Sequence, residues 1–596
     1  MPIIDFANAT KIYHRGQVIN RIYHKGVILY ESPPNFDTNY TNITLNVADG
    51  QTLKVANISS GSVTELYIDG VSQTPPTGTS YTTTTAYAVG TGKHYLKIKG
   101  SFSLYTSTVE MLVNNLQPDL TNLSYAFYSC SKLLNVPAIP SNITNLTNAF
   151  TNCNSLNNIS ISVPNACTTC KSIFYGCTGL TNIASVRLSG DTYGAFINCS
   201  NLTTINNLEF YNATLSSSSY PPFNGCTKLT NIGSFYLTGT NPNATTRQNL
   251  MPKTLTTINQ VASLPSGDGN YLFYNCSALT SVGDLTGLVI GTNMFNGCSA
   301  LVNPPTLPNT LTTADYMFYM CSSLVNPPTL NNGLLNCSQM FRGCISLTST
   351  PTIPSTVNTA THMFNSCTSL DNLNVYVPDN CSCNYIFYGC TGLTRIIYAR
   401  MNGDTFGIFN NCSNLTQVDE IIFNNVTLGN VSYAPFTGCT KLTIIGKLSI
   451  TGTNPNTTTR QNLMPKAIIT INEIGSLPNG DASYLFYNCT AFNNGSVILP
   501  NGITNMSYTF SGCTSLTNAK EIQSTVTNCS YTYNGCTGLY NLPQQNIDYM
   551  FSKPAGMTTI TGCYRNCTNI NTTNNNNIVN NLGDPLVYAN IPTAWK

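Results

Sequence analysis

The sequence predicts a mainly β protein with short helices, a leucine-rich-repeat solenoid of about 20 coils preceded by small all-β modules. Three observations predict it. An aromatic-x-x-Cys-x-x-Leu unit recurs through most of the chain, most often at a step of 23 residues, which is the period of a leucine-rich solenoid. Charged residues are 8% of the 596, against roughly 25% in an ordinary soluble domain, so Asn, Ser, Thr and backbone must meet the water. Hydrophobic residues reach 41%, yet no run of ~18 apolar residues is present to span a membrane.

The elements follow in order. Residues 1–36 contain two similar stretches, Lys11–Ile19 and Arg21–Ile28, which alternate apolar and polar residues around a glycine turn and predict short antiparallel strands. Residues 37–113 predict a small β-sandwich, with strands at Ile43–Val47, Thr52–Val55, Val63–Ile68 and His94–Ile98 separated by Asp-Gly and Gly-x-Gly turns. Residues 114–570 form the solenoid, and 571–596, with the run Asn574 to Asn577, predict a cap or tail.

One coil cannot bury its own apolar side, so stacked coils must share one core. Its expected members include Phe127, Cys130, Leu133, Phe174, Cys177, Leu180, Phe273, Cys276 and Leu279. Further along they include Phe341, Cys344, Leu347, Phe387, Cys390, Leu393, Phe510, Cys513 and Leu516. Cysteine suits the position because it is small and readily buried. The run after each leucine predicts a strand, and the run before each aromatic a short helical or turn element. A larger repeat overlies this one. Residues 239–253, GTNPNATTRQNLMPK, return as GTNPNTTTRQNLMPK at 452–466, 213 residues further on, and the same offset relates the cysteines around them. Asn241, Asn243, Arg247 and Gln248, with Asn454, Asn456, Arg460 and Gln461, are the candidate surface-recognition residues; duplication of a local bulge is the plainer reading.

Composition and spacing also exclude classes. A net charge of +2 leaves no basic surface to neutralise phosphates, so no nucleic acid is expected as partner. Cys167-Thr-Thr-Cys170 has a zinc-like spacing, but the duplicated block carries Cys381-Ser-Cys383, and tetrahedral geometry would not survive that drift. Structural thiols are the expected reading, with disulfides between neighbouring coils as the alternative. His14, His24, His94 and His362 have no Ser or Cys placed as nucleophile, and no facing carboxylate pair is marked. No catalytic residue, metal or cofactor is expected, and the chain is read as no enzyme.

The repeat, at the aromatic, Cys and Leu positions named above, resembles the BspA-like leucine-rich repeats. These occur in surface proteins of gut bacteria, mycoplasmas and some protists, and in phages of gut bacteria. The resemblance covers roughly residues 115–570 and implies adhesion or binding to host surfaces. The N-terminal Lys-Ile-Tyr-His-Arg-Gly pattern looks like short β modules that begin some phage virion proteins. With no secretory signal or anchor visible in the sequence, the resemblance implies a phage fibre or decoration protein at the virion surface. The N-terminal modules would then hold other virion proteins, and the solenoid would contact a host glycan or surface protein. The alternatives are a bacterial cell-surface adhesin and an intracellular protein-binding scaffold. Head fibre against tail fibre, and monomer against homo-oligomer, stay open.

Overall fold

A computed structural model describes strand backbone within residues 12–31, and residues 36–572 apart from 59–60, 80–82, 217, 429–430, 544, 547 and 549–555. The chain divides into two compact units, Met1–Leu202 and Thr203–Lys596.

The first unit begins with two antiparallel hairpins, β1 (Ile12–His14) with β2 (Gln17–Ile19) and β3 (Arg21–His24) with β4 (Val27–Glu31). Their side chains, His14 and His24 among them, lie outside the described residues. Eight strands follow: β5 (Thr41–Val47), β6 (Thr52–Asn57), β7 (Val63–Ile68), β8 (Val71–Gln73), β9 (Thr85–Ala88), β10 (Gly92–Gly100), β11 (Phe102–Leu104) and β12 (Glu110–Asn115). They form a five-stranded sheet, in the order β12-β5-β10-β7-β8, and a three-stranded sheet, β11-β6-β9. Alternating residues such as Ile43 and Leu45 on β5, or Leu96 and Ile98 on β10, fill the core. The sandwich runs into the first coil without a linker. Met111 on β12 bridges Leu133, the Leu104 amide donates to Ala126 O at 2.7 Å, and Phe102 meets Phe127 edge-on at 5.6 Å. Such contacts cover the apolar end of the coil stack, which would otherwise face water. Later in this unit β13 (Asn158–Ser162) pairs in parallel with β14 (Asn182–Asp191).

The second unit carries β15 (Thr204–Thr214), β16 (Asn231–Thr238), β17 (Thr257–Ser263) and β18 (Ser281–Leu285), each parallel to the next. Another parallel sheet comprises β19 (Asn372–Tyr376), β20 (Arg395–Asp404), β21 (Gln417–Thr427), β22 (Ile444–Thr451) and β23 (Thr470–Ser476). The helices are short: α1 (Ala244–Leu250), α2 (Thr457–Leu463) and α3 (Thr568–Thr572). The expected cap at 571–596 falls outside the described residues beyond Thr572.

The parallel β-solenoid has about 13 turns, which corrects the expected count of about 20. Proline is one physical reason. Pro304-Pro305, Pro327-Pro328 and Pro351 follow the leucine of their repeats, and proline cannot donate to a strand ladder. No strand is present between Leu285 and Asn372 among the described residues; successive repeats there share β-bridges such as Thr313↔Asn336 and Asn336↔Thr359, beside turn hydrogen bonds such as Phe318 N to Met340 O. The aromatic-Cys signature therefore marks a buried turn, not necessarily a strand. The segment before most of the aromatics is a tight turn, and a short 3-10 helix, Val431–Tyr433, precedes Phe436.

Within each unit the buried turns stack on a repeated pattern. The Phe amide donates to the next coil, as in Phe364 N to Ile386 O at 2.9 Å, and the residue before the cysteine does the same, as in Gly343 N to Asn365 O at 2.8 Å. This satisfies backbone groups that burial would otherwise orphan. Phenylalanine rings lie face to face along the stack, 5.7 Å and 1° apart for Phe318–Phe341 and 5.3 Å and 5° for Phe364–Phe387. Each thiol donates to a carbonyl of the preceding coil, as in Cys344 to Phe318 O and Cys390 to Phe364 O, both at 3.1 Å. The position thus asks for a side chain smaller than valine that carries a weak donor.

Candidate binding surface

The core set named from the sequence is buried throughout. The aromatic, Cys and Leu side chains of the repeats at 127, 174, 273, 341, 387 and 510 are at most 1% exposed. All 24 cysteines are buried and none is joined to another. Cys167 and Cys170 approach to 3.9 Å between sulfurs, and Cys170 and Cys383 occupy a second inward position, donating to Ser189 O and Asn402 O. Burial pushes the thiols of Cys177 and Cys344 up to about 12, so they are not nucleophiles at neutral pH. Among the described residues no three His, Cys, Asp or Glu side chains gather into a metal site, and no helix is long and apolar enough to cross a membrane. His94 is held by Asp69 at 2.7 Å and by Gly90 O at 2.8 Å. The architecture is that of a leucine-rich-repeat solenoid.

The duplicated loops build themselves from the residues singled out in the sequence. Asn243 and Asn456 cap α1 and α2, accepting from Thr246 N and Thr459 N at 2.8 Å. Arg247 and Arg460 turn inward to Asp268 and Asp481, at 2.6 and 2.9 Å, with the arginine side chains only 8% and 7% exposed. Asn241 and Asn454 bridge each pair, taking a bond from the guanidinium and giving one to the carboxylate. Gln248 and Gln461 are half-buried and offer their main-chain carbonyls to Lys253 and Lys466. The arginines are therefore not presented to a partner.

Each loop instead forms one wall of a pocket between two coils. One pocket, of about 180 Å³, is lined by Phe223, Gly225, Cys226, Thr227, Asn249, Met251, Pro252 and Lys253. The other, of about 320 Å³, is lined by Phe436, Gly438, Cys439, Thr440, Asn462, Met464, Pro465 and Lys466. The coil beyond each pocket lacks the aromatic-Cys signature and reads Met-Pro-Lys in its place. Its stacking is loose: the next thiols lie 3.8 Å (Cys276) and 4.0 Å (Cys489) from the proline carbonyls.

A second surface did not stand out in the sequence. Tyrosines flank the buried phenylalanine in Tyr271-Leu-Phe-Tyr274, Tyr316-Met-Phe-Tyr319, Tyr385-Ile-Phe-Tyr388 and Tyr484-Leu-Phe-Tyr487, and in the first unit Tyr125-Ala-Phe-Tyr128. The rings are half-buried and touch in pairs, 5.7 Å apart for Tyr316–Tyr319 and 5.5 Å for Tyr484–Tyr487. In the second unit they join longer clusters. Tyr484, Tyr508 and Tyr531 stack at 4.7 and 4.9 Å. His362 stacks on Tyr385 at 4.6 Å, Phe406 meets Tyr385 edge-on at 4.7 Å, and Tyr433, 40% exposed, closes the group at 5.2 Å from Phe406. Burial holds the His362 imidazole below its usual range, helped by Arg342, and the Asn365 amide donates to Nδ1 at 2.9 Å. Burial raises the Tyr385 hydroxyl. The repeated Tyr-x-Phe-Tyr string is the signal that could have found this strip.

A stack of coils with a leucine-aromatic-thiol core defines a leucine-rich-repeat solenoid. More specifically, the profile of the BspA type leucine rich repeat region matches residues 119–230, 266–394, 336–454 and 482–590, and the chain belongs to that family. A search of curated proteins finds no match. Among solved structures, a leucine-rich repeat protein from Bacteroides ovatus is 18% identical, with 65% of this chain and 88% of that one covered and a TM-score of 0.33. A leucine rich cell surface protein from Faecalibacterium prausnitzii is 15% identical, with 59% and 93% covered and a TM-score of 0.22.

Proposed function

We propose that the chain is a surface adhesin that binds a host protein or glycan through the tyrosine strip. The carrying observation is conformational. Tyr271, Tyr316, Tyr385, Tyr484, Tyr508 and Tyr531 all sit at positive φ, between 54° and 62°. The equivalent turn position elsewhere holds Asn148, Asn293, Gly194 or Gly407, residues that adopt this conformation more readily, and also Ser172, Gln339 and His362. The turn does not need tyrosine, so the strained aromatic is there for what it presents. Partly exposed tyrosine supplies large, rigid contact area with a polar tip, the usual make-up of binding hot spots.

Membership of the BspA-type family supports the cell-surface reading over the phage-particle reading, which no feature of the described residues favours. Attachment through the N-terminal hairpins remains a proposal for either setting. Surface labelling of intact producing cells tests the location, and a purely cytosolic signal contradicts it. Beads coated with the chain should adhere to host mucus or extracellular matrix, and adherence no better than that of uncoated beads contradicts the binding role.

A further inference from the structure

The two inter-coil pockets share an unmet hydrogen-bonding need. In an ordinary coil the Phe amide and the amide before the cysteine donate to peptide carbonyls of the next coil, as Phe387 N does to Ile408 O at 2.9 Å and Gly389 N to Asn410 O at 2.8 Å. Phe436 N and Gly438 N have no hydrogen-bond partner among the described residues, and neither has Gly225 N in the other pocket. The coil that should accept from them has withdrawn, and the pocket fills the gap. Its walls are mainly apolar, from Phe436, Met464 and Pro465, with Thr440, Asn462 and Lys466 also lining it. At the rim Lys466 spends two of its three N–H groups on Gln461 O and Tyr487 O, both at 2.7 Å. Lys253 does the same with Gln248 O and Tyr274 O.

The place was built for a peptide group, and its complement is the same chemistry: a carbonyl oxygen for the amides, beside a small apolar group for the walls. An acetamido group has both. At about 180 and 320 Å³ the pockets lie at or below the small end of ~300–1,000 Å³ ligand sites, so they take one such group with its ring, not a chain.

The duplicate supports a retained role. The neighbouring sheet face has drifted between the copies: Asn207, Asn231, Ser234 and Gln260 correspond to Glu420, Ile444, Lys447 and Glu473. The pocket has kept its Phe, Gly, Cys, Asn, Met, Pro and Lys.

We infer that each pocket binds the acetamido group of an N-acetylated amino sugar, giving two equivalent sites per chain. This extends the surface-binding reading by a site separate from the tyrosine strip. A chain that adheres to host material yet ignores acetamido sugars would overturn this inference alone.

The test is an NMR titration of the full chain with N-acetylglucosamine, glucosamine, glucose and an N-acetylated extended peptide. The expected result is saturable binding of two equivalents of N-acetylglucosamine, with glucosamine and glucose at least about tenfold weaker. Thr227 and Thr440 are exposed at the rims, so Thr227→Trp and Thr440→Trp block the pockets without touching the core. Each should remove one equivalent, and the pair should remove both. Equal binding of glucose, preference for the peptide, a stoichiometry other than two, or binding that survives the paired substitution would overturn the inference.

Discussion

A ladder cysteine such as Cys344 does two jobs with one small side chain: it fits beneath stacked phenylalanines, and it gives its S–H to a carbonyl one coil back. Cys344→Ala removes both the volume and the donor to Phe318 O. It should cost about 1–3 kcal/mol in urea denaturation, from the small void and the lost S–H bond, although Phe318 O keeps its bond from Cys321 N. Cost near zero would mean that the thiol is only a spacer. The same burial sets a pH response. The Cys344 thiol is pushed from its ordinary value of 9.0 to about 12 in the folded chain. Between those values the unfolded chain has lost the proton and the folded chain has not, so unfolding gains and stability falls as pH rises. With many thiols alike, the melting temperature should be flat below about pH 8 and fall steeply above 9. A midpoint constant to pH 11 contradicts this. At this scale the inward residues were legible because apolar side chains that recur at a fixed step must turn toward one shared core. The tyrosines were less so. Their turn position also accepts Asn148, Ser172, Gln339 and His362, and such varied company hides the position.

The helical loops show what an element can conceal. Their asparagines and arginines looked like a recognition pattern because they recur together at 239–253 and 452–466. The partners that hold them, Asp268 and Asp481, lie one coil further along, where a linear reading has no reason to look. Arg460→Ala should destabilise the second unit by about 3–5 kcal/mol, because Asp481 would be left nearly buried without its cation. Replacing both partners by apolar residues of similar volume should cost much less. Equal losses in calorimetry would assign the loop's stability to packing, not to the ion pair. Strands give the complementary lesson. The sandwich strands at 41–47, 52–57, 63–68 and 92–100 are where alternation placed them, within a few residues. The solenoid strands were overcounted, although Pro304-Pro305 and Pro327-Pro328 were visible all along; the strong aromatic-Cys signal outweighed a local veto that the backbone enforces.

At the scale of the whole chain, the buried ladder within each unit leaves much of the outside free to vary. Asn, Gly, Gln, His and Tyr can exchange at the left-handed turn because the amide there, not the side chain, makes the bond to the next coil. The tyrosine strip is then a choice of surface. The repeat period was enough to read a leucine-rich-repeat solenoid from sequence; which side chains reach the surface was not, since exposure is decided by how coils stack. The most direct measurement is adhesion of the triple substitution Tyr385→Asn, Tyr484→Asn and Tyr508→Asn, set beside its melting temperature. Asparagine is native at this position in other coils, so the account predicts an unchanged or slightly raised melting temperature with adhesion lowered about tenfold or more. Full adhesion by the folded variant, or a loss that appears only because the protein unfolds, would contradict it.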